Sequence, residues 1–350
     1  MKKAMIAMSG GVDSSVAAYL TAQKGYDCMG MTMRLYNHEY SVNYCPKNND
    51  AEDARRVAEQ LGMPFRIFEF QDDFRENVIE RFVGAYEEGR TPNPCVDCNK
   101  HMKFGKIIEA MDQLGYDYVV TGHYAQIEEK DGRFLLKKAV NHDKDQSYVL
   151  YGLTQAQLSR TMFPLGGMSK THVREIAEEQ GLISARKKDS QDICFVPDGD
   201  YAGFIERYTG RAFAHGQFVD TEGHVLGEHK GMIHYTIGQR KGLGLALPQP
   251  MYVKEKDMEH NAVILSTNDE LFTTNLDAVD FNWVAFDCPA EPVHCNARVR
   301  YKHAEQPATI YPTGPDTVHI EFETPVRAIS KGQAVVLYDG EYVIGGGTII

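Results

Sequence analysis

An apolar run over residues 3–8 stops at a glycine pair and passes into a stretch of helical composition, 14–24. The join reads Ser9-Gly10-Gly11-Val12-Asp13-Ser14-Ser15. Strand, glycine turn and helix in that order commit the start of the chain to a β-α unit, with the turn at the carboxyl end of the strand. Glycines let backbone approach a ligand closely. The first-turn amides of a helix lack internal acceptors, and the helix end favours negative charge. The turn therefore reads as an anion cradle; the plainer alternative is a tight turn with a serine cap. It is neither of the two common phosphate motifs, because no Gly-x-x-x-x-Gly-Lys-Ser/Thr occurs and no Gly-x-Gly-x-x-Gly follows a strand.

The alternation continues. Residues 27–33 are strand-like, and Asn49 with Glu52 reads as a capping box for a helix ending at Leu61-Gly62. Residues 64–70 suit a strand, 72–88 and 100–114 suit helices (the second closed by Gly115), and 116–120 suit a buried strand. This order predicts a parallel sheet covered on both faces, with ligands met by the loops 9–13, 33–48 and 121–124. From about residue 210 short strands and glycine turns take over. Residues 317–323 alternate with period two, and Asp339-Gly340 between 335–338 and 342–344 signals a hairpin. The expected fold is α/β: a Rossmann-like parallel-sheet domain over 1–204, a small central module over 205–268, and a C-terminal antiparallel β-barrel over 269–350. Three units suit 350 residues at ~150 per domain.

Charge narrows the function. The chain carries 37 basic and 49 acidic residues, a net −12, which excludes coating nucleic acid non-specifically. Basic residues do gather at Arg186-Lys187-Lys188, at Arg240-Lys241, and at Arg298, Arg300, Lys302 and His303; each alone reads as solvated surface. No apolar run reaches the roughly 18 residues of a membrane span, so a soluble cytoplasmic protein without a membrane partner is expected. The seven cysteines (28, 45, 95, 98, 194, 288, 295) are odd in number and follow no secretion signal, so they should work as thiols or ligands.

Two of them stand in Gly89-Arg-Thr-Pro-Asn-Pro94-Cys95-Val-Asp-Cys98-Asn-Lys100. The prolines predict an extended loop, with Cys98 where the next helix starts and its thiol made more acidic by Lys100, His101 and Lys103. A zinc knuckle lacks its second ligand pair here, which leaves inert packing or sulfur chemistry. Cys194, in Lys187-Lys-Asp-Ser-Gln-Asp-Ile-Cys194-Phe-Val, by itself reads as buried and inert.

Ser-Gly-Gly-x-Asp-Ser resembles the pyrophosphate loop of ATP-pyrophosphatases. With Thr-Pro-Asn-Pro-x-x-x-Cys-Asn, Thr121-Gly-His-Tyr124, Lys144-Asp-Gln-Ser-Tyr148, Asp189-Ser-x-x-Ile-Cys-Phe195 and Gly238-Gln-Arg-Lys-Gly-Leu-Gly244 in series, nearly the whole chain resembles the tRNA-specific 2-thiouridylase (MnmA) family. The resemblance implies ATP with Mg2+, adenylation of the wobble uridine (position 34) at O2, and its replacement by sulfur in tRNAs for lysine, glutamate and glutamine. A cysteine desulfurase or sulfur-relay protein would supply the sulfur. By motif match Ala7, Met8, Ser9, Gly10, Gly11, Val12, Asp13, Ser14, Met33 and Gly122 hold ATP. Cys194 carries a persulfide, and Cys98 is the nucleophile that forms a transient disulfide with it. Asn93, Pro94, Cys95, His123, Lys144, Asp145, Gln146, Arg300, Tyr301 and Gln333 meet the tRNA, although a histidine placed like His123 is more often a structural group. Some members have aspartate where this chain has Cys95. A rival route follows, in which Cys95, Cys98 and Cys194 ligate a [4Fe–4S] cluster. Outside this family stand another ATP-pyrophosphatase, for a small substrate, and a non-enzymatic nucleotide-binding module.

Overall fold

The computed structural model describes residues 1–36, 49–187 and 193–350. The side chain of Asn49, residues 37–48 of one expected ligand loop with Cys45, and 188–192 of the Cys194 motif lie outside the described residues.

Strands β1 (Lys3–Ala7), β2 (Asp27–Arg34), β3 (Phe65–Glu69) and β4 (Tyr118–Val120) are followed by a hairpin, β5 (Gln126–Lys130) and β6 (Arg133–Lys137), and by the short β7 (Thr161–Met162). A parallel sheet forms in the order β3-β2-β1-β4-β7. Ala4, Met5 and Ile6 of β1 are fully buried, as a central parallel strand covered on both faces requires. Helices α1 (Val12–Gln23) and α2 (Asn49–Gln60) cover one face, and a helix running through 94–114 covers the other. The order in which strands are added reverses between β1 and β4, so the loops leaving these parallel strands flank one crevice.

Two helices differ from expectation. The helix over 71–87 contains a π-wound turn, Arg75–Ile79. The next starts at Pro94, not near Cys98: Asn93 caps it by accepting from the Cys95 amide, and proline is well suited to a first helical position. Winding changes to π over Cys98–Lys106 and returns to α until Gly115 ends the helix at φ +69°.

The C-terminal strands are β12 (Phe272–Trp283), β13 (Val293–Arg298), β14 (Gln306–Gly314), β15 (Thr317–Arg327), β16 (Ala334–Asp339) and β17 (Tyr342–Ile349). They pair in the order β12-β15-β14-β13-β16-β17, and β12 also pairs with β17, closing a barrel. Strand β16 shows why sequence alternation fades there. Val335 and Leu337 face the barrel core, while Ala334, Val336 and Tyr338 enter the core beneath the parallel sheet. Both faces are dry. On the side shared with the parallel sheet, burial of Val336 contributes roughly 1.5–3 kcal/mol. The β5–β6 hairpin turns on Asp131-Gly132, both at positive φ, and β6 meets the edge of β17 where Lys137 pairs with Tyr342. Gly346 permits a close approach between the two bodies: a Cβ there would lie 2.6 Å from the Tyr151 ring.

Between these bodies, β8 (Gly216–Val219), β9 (Val225–His229), β10 (Tyr252–Asp257) and β11 (Ala262–Ser266) form a small sheet, β10-β11-β8-β9, around Phe218, Val253, Val263 and Leu265. Among the described residues no helix is long and apolar enough to cross a membrane.

Candidate active site: a phosphate cradle beside three thiols

The cradle is held from both sides. Met8 donates its amide to Met31, and Thr32 Oγ1 donates to Met8 O at 2.7 Å, which fixes the exit of β1. Ser14 Oγ accepts from the Ser9 amide and donates to Gly11 O, so the loop folds over its own helix start. Gly10 is at φ +73°, and a Cβ there would stand 2.2 Å from Asp50 O. Gly11 is different: its φ is −90°, and the nearest atom to an added Cβ is Ser9 Oγ at 3.5 Å. Across the crevice Gly122 presses on the same loop, since a Cβ would come within 2.8 Å of Asp13 C and Ser14 N. The two loops touch as the strand order predicts.

Side chains complete the cradle. Asp13 accepts from Tyr124 Oη at 2.8 Å and from Lys170 Nζ at 2.8 Å on each carboxylate oxygen. Lys187 Nζ reaches Gly10 O (3.2 Å), Asp50 Oδ1 (2.5 Å) and Asp53 Oδ2 (2.9 Å). Burial pulls the Lys187 ammonium down, but the hydrogen bonds to Asp50 and Asp53 outweigh it and leave its pKa raised. Motif reasoning assigned neither lysine. Lys187 was visible only as part of a basic run, and Lys170 only as the residue after Ser169, whose hydroxyl caps its helix by accepting from the His172 amide.

Next to the cradle stand the thiols. Phe195 anchors Cys194 by packing edge-on against Phe74 and Phe82, and Tyr36 Oη donates to Cys194 O at 3.3 Å. Cys98, Ile193 and Met33 pack on that same cluster, which brings the end of β2, the π-wound turn and the Cys194 segment together. The sulfurs sense one another: desolvation first, then the charges of Cys98 and Cys95, push the Cys194 thiol up to about 12. Desolvation also raises Cys98 and Cys95, and Lys103 pulls all three back toward acidity. The more acidic Cys98 expected from sequence is thus corrected. Cys194 and Cys95 are open to solvent yet ringed by protein, and that partial dehydration exceeds the help of one lysine.

His123 joins the two halves. It is buried, and desolvation followed by Lys103 holds its pKa well below the ordinary range, so the ring is neutral. Lys103 Nζ lies 3.3 Å from His123 Nε2, and an ammonium only donates. Nε2 must accept, which places the ring proton on Nδ1, donated to Thr121 Oγ1 at 2.7 Å.

Other residues assigned by motif spend their polar groups internally. Buried Asp145 accepts from the amides of Ala139 and Ser147 and from Ser147 Oγ. Gln146 Oε1 takes the Tyr124 amide, and Gln333 Nε2 donates to Thr91 O. Lys144 ends a short 3-10 turn, His142–Lys144. Arg300 Nη2 donates to Ile237 O, Ala328 O and Ser330 Oγ, tying the small sheet's body to the barrel. Tyr301 is partly exposed, donates to Asp145 O, and lies near enough to Cys95 to feel its charge. The barrel therefore does reach the thiol pocket.

No three His, Cys, Asp or Glu side chains among the described residues converge to hold a metal ion. Cys95, Cys98 and Cys194 are neighbours without converging on one ion-sized point, and Cys194 feels the charge of the other two. Magnesium makes a smaller demand: one or two carboxylates suffice when substrate phosphates supply the rest, and Asp13 is such an oxygen donor.

Fold and site together define an ATP-pyrophosphatase-type α/β body carrying a thiol pocket and an appended barrel. Residues 2–198 match the domain family described as tRNA methyl transferase HUP domain, 202–267 the tRNA methyl transferase PRC-barrel domain, and 273–349 the aminomethyltransferase beta-barrel domain. A protein of Clostridioides difficile (strain 630) named tRNA-specific 2-thiouridylase MnmA is 50% identical over 99% of this chain and 98% of its own. One of the same name from Lachnoclostridium phytofermentans is 48% identical over 100% of both chains. The chain belongs to the tRNA-specific 2-thiouridylase MnmA family.

Proposed function

We propose that this chain spends ATP to exchange O2 of the wobble uridine for sulfur in tRNAs for lysine, glutamate and glutamine. The domain descriptions speak of methyl transfer, whereas the relatives' name speaks of thiolation. The observation that favours thiolation is the electrostatic coupling of Cys98, Cys95 and Cys194 beside a phosphate cradle, an arrangement that methyl transfer does not use.

The chemistry requires activation first. A urea-like carbonyl is a poor electrophile, so O2 attacks the α-phosphorus of ATP, the Pα–O bond to the β-phosphate breaks, and pyrophosphate leaves with the electron pair. Magnesium supplies charge neutralisation to the phosphates, and Asp13 is the residue that would hold it. The terminal sulfur of a Cys194 persulfide, loaded by a desulfurase or relay protein, then attacks C2, and AMP leaves. The Cys98 thiolate next attacks Cys194 Sγ. The bond between the two persulfide sulfurs breaks, 2-thiouridine departs with the outer sulfur, and a Cys98–Cys194 disulfide remains for an external thiol to reduce. Lys103 favours each thiolate, and the neutral His123 ring holds Lys103 in place. Cys95 with Tyr301 lines the side of the pocket open to the base.

Pyrophosphate release tests this reading. It should require unmodified tRNA and ATP together and persist in Cys98→Ser, which blocks only the later sulfur step. Release that is independent of tRNA would point instead to a small-molecule ligase, and none at all to a nucleotide-binding module.

A further inference from the structure

The cradle contains no cation of its own: residues 7–15 include no lysine or arginine. A bound triphosphate brings roughly four negative charges, and the end of α1 offers only about half of one positive charge. Magnesium would take up part of the remainder, and the rest falls to side chains beside the loop. Among the described residues, two ammonium groups stand there, and they are built differently.

Lys187 is a brace. Its three partners, Gly10 O, Asp50 and Asp53, belong to the loop and to the start of α2, so moving it would undo the shape of the cradle. Lys170 meets the helix end itself, through Asp13. It opens the helix Lys170–Glu179, which packs on α1, and its side chain is only 12% exposed, so the stem is fixed. Its ammonium meets both oxygens of Asp13, which sits in the first turn of α1. Tyr124 stands over the same pair: its hydroxyl donates to Asp13 Oδ1, and Lys170 Nζ lies 5.9 Å from its ring centre. A carboxylate at the helix end occupies the kind of position that an anionic ligand favours.

We propose that Lys170 is the phosphate-binding cation of the cradle, held ready in the free chain by Asp13, which stands in for the phosphate. On ATP binding the β- and γ-phosphate oxygens replace the Asp13 carboxylate at Lys170 Nζ. Asp13 is then free to serve magnesium. Lys170 neutralises the pyrophosphate as the Pα–O bond breaks, while Lys187 stays on Gly10. This rests on the ATP-cleaving part of the proposed function and not on its sulfur steps.

The test is binding to the full chain by titration calorimetry without tRNA, using magnesium pyrophosphate, MgATP and adenosine as separate probes. Lys170→Gln should weaken pyrophosphate and ATP by about ten- to hundredfold, the scale of one charge-assisted contact, and leave adenosine unchanged. Lys170→Arg should recover part of the loss, which also guards against a Gln variant that fails to fold. Asp13→Asn, which removes the stand-in, should not weaken magnesium-free pyrophosphate. Equal weakening of all three probes in Lys170→Gln, or of none, would overturn the proposal and leave a merely structural ion pair. If the wild-type chain bound adenosine but neither phosphate probe, the ATP-cleaving reading would fall with it. Failure of tRNA thiolation alone would leave these binding results standing.

Discussion

Replacing Gly10 by alanine tests the cradle at its tightest point. Two costs add. At φ +73° an L-residue loses about 1–2 kcal/mol, because its Cβ crowds the following carbonyl. The same Cβ would meet Asp50 O at 2.2 Å, so the loop and the start of α2 must separate by about 1 Å, an overpacking penalty of about 1–3 kcal/mol. The sum is about 2–5 kcal/mol. For a domain of ~200 residues each kcal/mol shifts Tm by about 2–4 °C, so calorimetry should find the α/β transition lowered by ~5–15 °C. ATP affinity should fall with it, since Lys187 braces Gly10 O. Gly11→Ala is the control. Its backbone is ordinary and its Cβ has room, so Tm should stay within about 2 °C; any effect there must come from crowding the phosphates. A Gly10→Ala protein as stable as wild type, or a Gly11→Ala protein equally destabilised, would refute the reasoning.

Cys194, with its thiol near 12, is protonated at neutral pH, so its alkylation by iodoacetamide should be slow at pH 7.5 and climb steadily to pH 10 and beyond; a plateau near pH 8 in peptide mass spectrometry would contradict this. Lys103→Met should slow alkylation of Cys95, Cys98 and Cys194 at a given pH, because the one cation that lowers all three is lost. Arg300→Ala should lower Tm before it weakens tRNA, by roughly 2–4 kcal/mol of lost internal bonding, since Nη2 holds two carbonyls and a hydroxyl; unchanged Tm with weakened tRNA would mean the guanidinium serves RNA instead. Cys95→Ser should keep appreciable thiolation, whereas Cys98→Ser and Cys194→Ser abolish it; equal loss in all three, with loss of anaerobically bound iron, would favour a cluster.

The sequence revealed whatever is carried by local pattern. The β-α alternation, Gly115 as a helix end, and the hairpin at 339–340 depend on neighbours in the chain, and each appears where expected. Long-range pairings left no such trace. Lys170 meets Asp13 across 157 residues, and β6 meets β17 through Lys137 and Tyr342, which no local pattern announces. Strand β16 loses its alternation because two cores meet on it. Thiol acidity failed for a related reason: the lysines near Cys98 are legible in the chain, whereas the aromatic cluster that packs on it and desolvates it arrives from elsewhere, and the charges of Cys95 and Asp97 add to that effect. Proline was read as a breaker at Pro94, where Asn93 makes it a helix starter.

Nucleoside mass spectrometry tests the central claim directly. Unmodified tRNA for glutamate, lysine or glutamine is incubated with the full chain, ATP, magnesium, a cysteine desulfurase with its cysteine substrate as the source of persulfide sulfur, and a thiol to reduce the Cys98–Cys194 disulfide, and then digested. The account predicts exchange of oxygen for sulfur at C2 of the wobble uridine, only when ATP is present, with AMP and pyrophosphate formed in step with the sulfur gained. ATP consumed without sulfur at C2, or a methyl group gained there instead, would contradict it.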